Sequence, residues 1–326
     1  MELSRRDFAR LALAGVPAAT WLERSFFTTA SAAERPNSVI NGVQVGTITY
    51  SYRSMPDQSA QALLRYVVAD GINAIELMGE PAEQFAGAPS SGRGGGRGRG
   101  QEPSPEQQMA RREAREALRK WRTSVSIDRY KELRKLYNDA GVTIYAIKIS
   151  PTEDMTDDEM DYVFNAAAAA GATHVTLEIT DDVPFLKRVG GFAEKHKVYA
   201  AYHSHTQGGM SAFDAAFAAS KANMANIDFG HYVAGGNKGG TTLQFLEKFH
   251  DRIASFHMKD RTTPEHGEKN LPWGTGETPL KAILQMVKKN KWTMPATIEL
   301  EYDVPQGSDA VKEVAKCLEY CKAALA

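Results

Sequence analysis

Short apolar runs of strand length alternate with amphipathic stretches along most of this chain. The runs predict eight strands: Val45–Tyr50, Ala74–Met78, Thr143–Ile149, His174–Ile179, Val198–His203, Asn226–Phe229, Ile253–Met258 and Ala296–Leu300. Between them the spacing turns helical. Residues 129–140 set Tyr130, Leu133, Leu136 and Tyr137 on one face, and Gly141 ends the stretch. Thr156-Asp157-Asp158-Glu159 reads as a capping box opening an alanine-rich helix to Ala170. Thr278-Pro279 offers a capping hydroxyl before a proline at the first helical position. Gly71, Gly141 and Gly171 each fall just after a helix and shortly before a strand, as a repeated β-loop-α unit requires. Such alternation favours a parallel sheet, closed as a (β/α)8 barrel or open and doubly wound. No glycine-rich phosphate loop follows the first strand, which argues against a dinucleotide fold.

One region breaks the rhythm. Residues 86–107 are mostly glycine, arginine, proline and serine, too poor in apolar side chains to pack, and a charged helix-forming stretch from Gln108 to Arg122 follows. No aromatic residue is interleaved with the arginines, so a disordered insertion after the second strand is preferred to a polyanion-binding tract. An insertion there leaves from the face where barrel active sites lie.

The 326 residues fit one domain of this kind, and a hydrophobic share of 42% suffices for a large core. A net charge of −1 gives no pull toward nucleic acid or an anionic membrane. Cys317 and Cys321 stand four apart on a predicted helix, poorly placed for a disulfide, and read as small core residues. The segment from Ser4 through Arg5 and Arg6 to Arg10 resembles the twin-arginine export motif. It is followed by an apolar stretch from Leu11 to Leu22 and a small-x-small site at Ala30-Ser31-Ala32. Residues 1–32 are therefore expected to be a signal peptide read by the twin-arginine export machinery. The mature protein is expected in the periplasm or outside the cytoplasm, with no membrane segment of its own.

From position 203 onward, polar groups recur at the ends of the predicted strands. They are His203 and His205, Asp228 and His231, His257 with Lys259 and Arg261, and Glu299 with Glu301. Imidazoles and carboxylates on successive strand ends are what a divalent-metal site at the top of a (β/α)8 barrel requires. Glu178 and Glu76 end the fourth and second strands in the same way. Each reads equally well as a site-facing carboxylate or as an ordinary strand-end acid. Lys259 and Arg261 follow His257 at alternate positions, where cations would stabilise a substrate oxyanion. His205 reads as a group that orients its neighbours. Trp273 reads as a wall for a sugar face or as a core residue.

The strings DFGH, HMKD and IELEYD resemble the xylose isomerase-like TIM-barrel superfamily, the sugar phosphate isomerase/epimerase family, over about residues 42–322. The resemblance implies a single-domain α/β fold, the (β/α)8 TIM barrel. It also implies one divalent ion, manganese first, with zinc, cobalt or magnesium as alternatives. Asp228, His257 and Glu299 match its ligand positions. Where tagatose 3-epimerase-like members carry a glutamate on the fifth strand, this chain has His203, so the implied ligand set is His203, Asp228, His257 and Glu299. That departure removes one of the usual pair of bases, and Glu178 is the candidate replacement. Histidines at the place of His231 touch substrate hydroxyls in such enzymes.

The implied activity is a metal-dependent isomerase or epimerase acting on a small sugar or keto-sugar. Glu299 or Glu178 would remove a carbon-bound proton and His231 or a second carboxylate would return it. Glu76, Lys259, Arg261 and His205 would meet the substrate. A lyase or dehydratase on keto-sugars or 3-keto-glycosides is the first alternative, and a non-catalytic periplasmic sugar-binding barrel the second. A nucleic-acid repair activity needs more clustered metal ligands and a basic face, which the sequence lacks. The partners expected are a small-molecule sugar and the export machinery, with a homo-oligomer left open.

Overall fold

Eight parallel strands pair in sequence order and close on themselves, the last beside the first. The computed structural model describes residues 35–89 and 104–326. The expected signal peptide and residues 90–103 of the Gly/Arg-rich stretch lie outside the described residues. Among these, no helix is long and apolar enough to cross a membrane.

In chain order the elements are β1 (Val39–Ile40), β2 (Val43–Ile48), α1 (Ala60–Ala69), β3 (Ala74–Met78), α2 (Gly79–Phe85), α3 (Pro105–Arg122), α4 (Asp128–Asp139), β4 (Thr143–Lys148), α5 (Asp157–Ala170), β5 (His174–Glu178) and α6 (Val183–His196). They continue with β6 (Tyr199–His203), α7 (Asp214–Ala219), β7 (Asn223–Asp228), α8 (Phe229–Ala234), α9 (Thr242–Phe249), β8 (Ile253–Met258), β9 (Asp260–Arg261), β10 (Asn270–Leu271), α10 (Leu280–Asn290), β11 (Ala296–Ile298) and α11 (Ala310–Leu325). The barrel runs β2-β3-β4-β5-β6-β7-β8-β11, and β1 adds one antiparallel edge strand to β2. This is the closed (β/α)8 barrel that the sequence pattern and its resemblance predicted.

Alternation within each strand separates two environments. On β8, Phe256 and Met258 point outward into the layer shared with the helices, while Ser255 and His257 point into the barrel. The outward residues join one continuous core with Leu63, Val67, Leu133, Val163, Leu186, Leu246, Leu284 and Leu318 from the helices. Cys317 and Cys321 belong to that core as free thiols, buried as expected.

Local signals explain most boundaries. Thr156 and Glu159 form the expected capping box, and Gly171 ends α5 at φ 83° in the left-handed region. Strand β7 begins at Asn223, before its expected start, because the Asn223 amide is buried and donates to the Leu186 and Ala216 carbonyls. The Thr278 expectation is corrected: α10 starts at Leu280 without a side-chain cap, because the Thr278 hydroxyl accepts instead from the Arg261 N–H.

Helix α3 starts at Pro105, inside the expected insertion, behind a capping box of Ser104 and Gln107. None of its residues is fully buried, yet its C-terminal end is held firmly. Arg122 pairs with Glu83 of α2 at 2.8 Å, and Arg119 with Glu159 of α5 at 3.0 Å. Trp121 packs edge-on against Tyr162.

Candidate metal centre and active site

His203 is the last residue of β6, Asp228 the last of β7 and His257 the last but one of β8, while Glu299 follows β11. Parallel register sets Asp228 beside His257 and His203 beside Asn226. The fold thus brings His203, Asp228, His257 and Glu299 together at the C-terminal mouth. All four are buried, and one ligand atom from each lies within 4.8 Å of the others. Asp228 also caps α8, its Oδ1 accepting from the His231 N–H at 2.8 Å. Between them sits Gly230, where an added Cβ would fall 2.2 Å from Lys259 Cγ and 2.6 Å from its carbonyl oxygen. Only glycine lets α8 approach that closely.

His257 is the most constrained imidazole. Its Nδ1 meets Glu299 Oε2 at 2.7 Å and its Nε2 meets Glu76 Oε2 at 2.8 Å. Burial by itself pushes this ring toward neutrality, but the carboxylates of Glu76 and Glu299 outweigh it and lift its pKa to about 10. His203 shows the opposite balance: burial, then the charge of His257, pushes it down to about 3, so the ring is neutral.

Lys259 is buried behind the ligands. Its ammonium lies 3.0 Å from Asp228 Oδ2, 2.9 Å from Glu299 Oε2 and 2.6 Å from Glu301 Oε2. Burial opposes its charge, but Asp228, Glu299 and Glu301 more than compensate and raise its pKa. Glu299 is raised by burial and lowered further by Lys259 and His257, so it stays ionised.

This donor set fits a divalent ion. With neutral histidines, the carboxylates Glu76, Glu178, Asp228, Glu299 and Glu301 face three permanent cations, Lys148, Lys259 and Arg261, which leaves two negative charges to balance. Two imidazoles and two carboxylates suit manganese, zinc or cobalt better than magnesium, which prefers oxygen alone. Asp228 Oδ2 makes no aligned hydrogen bond although Lys259 is close, so a lone pair remains for coordination.

The other expected site residues spread around this centre. His231 stands between Lys259 and Arg261, its Nε2 3.2 Å from the ammonium and its Nδ1 2.5 Å from Arg261 Nη1. Burial, then Lys259, pushes His231 down to about 3. A neutral ring accepts at one nitrogen only, so one of these two contacts sets two donors face to face, and Glu301 Oε2 lies 3.9 Å from Nε2. His205 is about half exposed at the rim, its ring centroid 4.8 Å from that of His231 and 5.0 Å from that of His203.

Glu178 is not drawn into the ligand cluster. Its half-exposed carboxylate pairs with Lys148 at 3.0 Å and approaches His205 at 3.4 Å. It lines a cleft of about 470 Å³ with Ser150, Pro151, Ile179 and Phe185. Glu76, expected on the substrate side, is wholly buried beneath His257, where Thr176 Oγ1 donates to its other oxygen at 2.7 Å. Burial raises its pKa, but His257 outweighs burial and brings it down to about 2. Arg261 is buried and anchored to the Glu268 carbonyl. Trp273 packs edge-on against Tyr320 of α11.

Sequence reasoning missed Lys148 and Asn226. Asn226 lies two positions before Asp228 on β7, and Lys148 ends β4 and pairs with Glu178. Polar residues at inward positions were the available signal.

The family model described as a xylose isomerase-like TIM barrel matches residues 64–321. The chain belongs to that family, whose members include sugar isomerases, epimerases and dehydratases. Among solved structures it is similar to a sugar phosphate isomerase/epimerase from Parabacteroides distasonis. Identity is 16%, coverage 90% of this chain and 98% of that one, and the TM-score 0.58. It is also similar to 3-keto-D-glucoside 4-epimerase, YcjR, from E. coli, at 10% identity, covering 86% and 99%, with a TM-score of 0.57. A third similar structure is the IOLI protein with a bound zinc atom, at 12% identity, covering 87% and 98%, with a TM-score of 0.56. At these identities the likeness is one of fold. No curated protein sequence matches the chain.

Proposed function

We propose that the protein is a metal-dependent isomerase or epimerase of a small sugar or keto-sugar. The observation that carries this reading is the convergence of His203, Asp228, His257 and Glu299 on one buried point at the catalytic mouth of the barrel. The similarity to a keto-glucoside epimerase and to a zinc-containing barrel supports the same class. When bound, a divalent ion supplies Lewis acidity that acidifies a carbon-bound hydrogen beside a substrate carbonyl.

The chain's own groups do the rest. Glu178 accepts the proton, because its carboxylate is half exposed on the strand position paired with His203, whereas Glu299 Oε2 is shared between His257 and Lys259. Lys148 positions Glu178 by ion pairing. His231, held uncharged by burial and by Lys259, donates its ring N–H to a substrate oxygen. Return of the proton by Glu178 to the adjacent carbon, with the hydroxyl proton of the first carbon passing to the former carbonyl oxygen, gives isomerisation. Delivery of a different proton to the far face gives epimerisation: Glu301, after β11 and across the mouth from Glu178 at the end of β5, would enter protonated on the oxygen that Lys259 does not hold and leave ionised, while Glu178 ends protonated. The N-terminal twin-arginine motif supports action outside the cytoplasm, on unphosphorylated sugars or keto-glycosides.

The test is metal analysis joined to deuterium exchange. Purified protein should hold one equivalent of manganese, zinc or cobalt and exchange a carbon-bound hydrogen of a sugar or 3-keto-glycoside in D2O. Absence of both metal binding and exchange across the panel would refute the proposal.

A further inference from the structure

A hydrogen-bonded column runs through the barrel interior from the mouth opposite the site to His203. The Thr173 hydroxyl meets the Tyr145 carbonyl at 3.0 Å and His174 Nδ1 at 2.9 Å. His174 Nε2 meets Ser255 Oγ at 2.9 Å, Ser255 Oγ meets Asn226 Nδ2 at 2.7 Å, and Asn226 Oδ1 meets His203 Nδ1 at 2.8 Å. His174, Ser255, Asn226 and His203 are all buried, so no water competes for these bonds.

The polarity of the column follows from its fixed end. A backbone carbonyl only accepts, so Thr173 spends its one hydroxyl proton on Tyr145 and must accept from His174 Nδ1–H. His174 Nε2 then carries the lone pair and Ser255 donates to it. Ser255 in turn accepts, and the group facing it must be the Asn226 amide nitrogen. That leaves Asn226 Oδ1 toward His203, where it can only accept.

A second acceptor-only group gives the same answer independently. Glu76 Oε2 lies 3.4 Å from Asn226 Nδ2, and the flipped amide would set oxygen against carboxylate.

We propose that Asn226 is a positioning residue that holds His203 as the Nδ1–H tautomer and thereby makes Nε2 its ligand nitrogen. The proposal deepens the metal-site reading above and rests on it only for the identity of what Nε2 binds. It also links the two histidine ligands, since Asn226 and His257 share Glu76 Oε2. Where the fifth-strand ligand is a glutamate, no tautomer has to be chosen. A histidine in that place needs a partner that chooses it, and Asn226 supplies the choice from the neighbouring strand.

The test uses the full chain with 15N-labelled histidine rings, first metal-free and then titrated with zinc. The expected result for the native protein is a protonated Nδ1 and an unprotonated Nε2 on His203, with Nε2 shifting on zinc addition. Asn226→Leu should give mixed tautomers and weaken zinc about 10- to 100-fold. A protonated Nε2 on His203 in the metal-free native protein overturns the proposal, as does an Asn226→Leu variant that keeps both one tautomer and native zinc affinity. If Asn226→Leu does not fold, the native tautomer still decides. Failure of the native protein to bind zinc would count against the metal site while leaving the tautomer measurement intact.

Discussion

The two faces of the barrel strands are built on opposite principles. The outward face, shared with the helices, is mainly apolar: Val45, Ile75, Leu77, Ile147, Val175, Leu177, Tyr202, Ile227, Phe256 and Ile298 join one hydrophobic core there. The inward face carries Glu76, Tyr145, His174, Thr176, His203, Asn226, Ser255, His257 and Thr297, all buried and all hydrogen-bonded. Barrels of this shape usually fill their centre with branched apolar residues. Here the outer layer carries the stability, and the centre is given to a polar network whose value lies in orientation. Buried polar networks contribute little net stability, yet each is costly to break in part.

The adjacent residues His257 and Phe256 allow the sharpest test of that division. His257→Asn, which keeps a polar side chain for Glu76 and Glu299, should remove most of the bound metal and all measurable turnover while the protein stays folded, as checked by metal analysis and circular dichroism. His257→Ala should in addition cost about 3 kcal/mol in urea unfolding, because Glu76 is left as an unpaired buried carboxylate.

Phe256→Ala should reverse the pattern. It should cost about 3–5 kcal/mol of stability through the cavity left in the outer layer, while the folded fraction still binds one equivalent of metal. Equal loss of metal in both variants would show that the two faces are not separable.

Glu178→Gln should leave metal content and melting temperature unchanged and slow deuterium exchange at least about 100-fold, the usual size of a lost general base. Normal exchange in that variant would transfer the role to Glu301 or Glu299.

The smallest effect is one of pH. In the metal-free protein His257 is lifted from 6.5 to about 10, whereas a metal takes only the neutral ring. Metal affinity should therefore rise roughly tenfold per pH unit between about pH 7 and 9, with about one proton released per ion bound, measurable by calorimetry in buffers of different ionisation heat. The stability that the raised pKa gives the metal-free protein should run the other way. It is fully present below about pH 6.5 and lost as pH climbs through about 10.

The outer layer explains why the fold was legible in the sequence. Each strand's apolar positions and each helix's apolar stripe repeat the same β-loop-α rhythm, and Gly141 and Gly171 mark their junctions with left-handed turns. The ligand positions were legible for a related reason, since they end strands just where the rhythm breaks. What the sequence hid was depth. Glu76 and Glu178 look alike as strand-end acids, but the register of β3 buries the first beneath His257 while the second reaches the cleft. Asn226 and Ser255 were invisible because a short polar residue inside a strand reads as a weak strand rather than as the centre of a network.

The clasp between Glu83 and Arg122 has a practical consequence. It ties α2, just after β3, to the C-terminal end of α3, and Arg119 fastens the same end to α5 through Glu159. A fluorescent reporter or an affinity module spliced in ahead of α3 would therefore meet the barrel only through a joint that is already fastened on both sides.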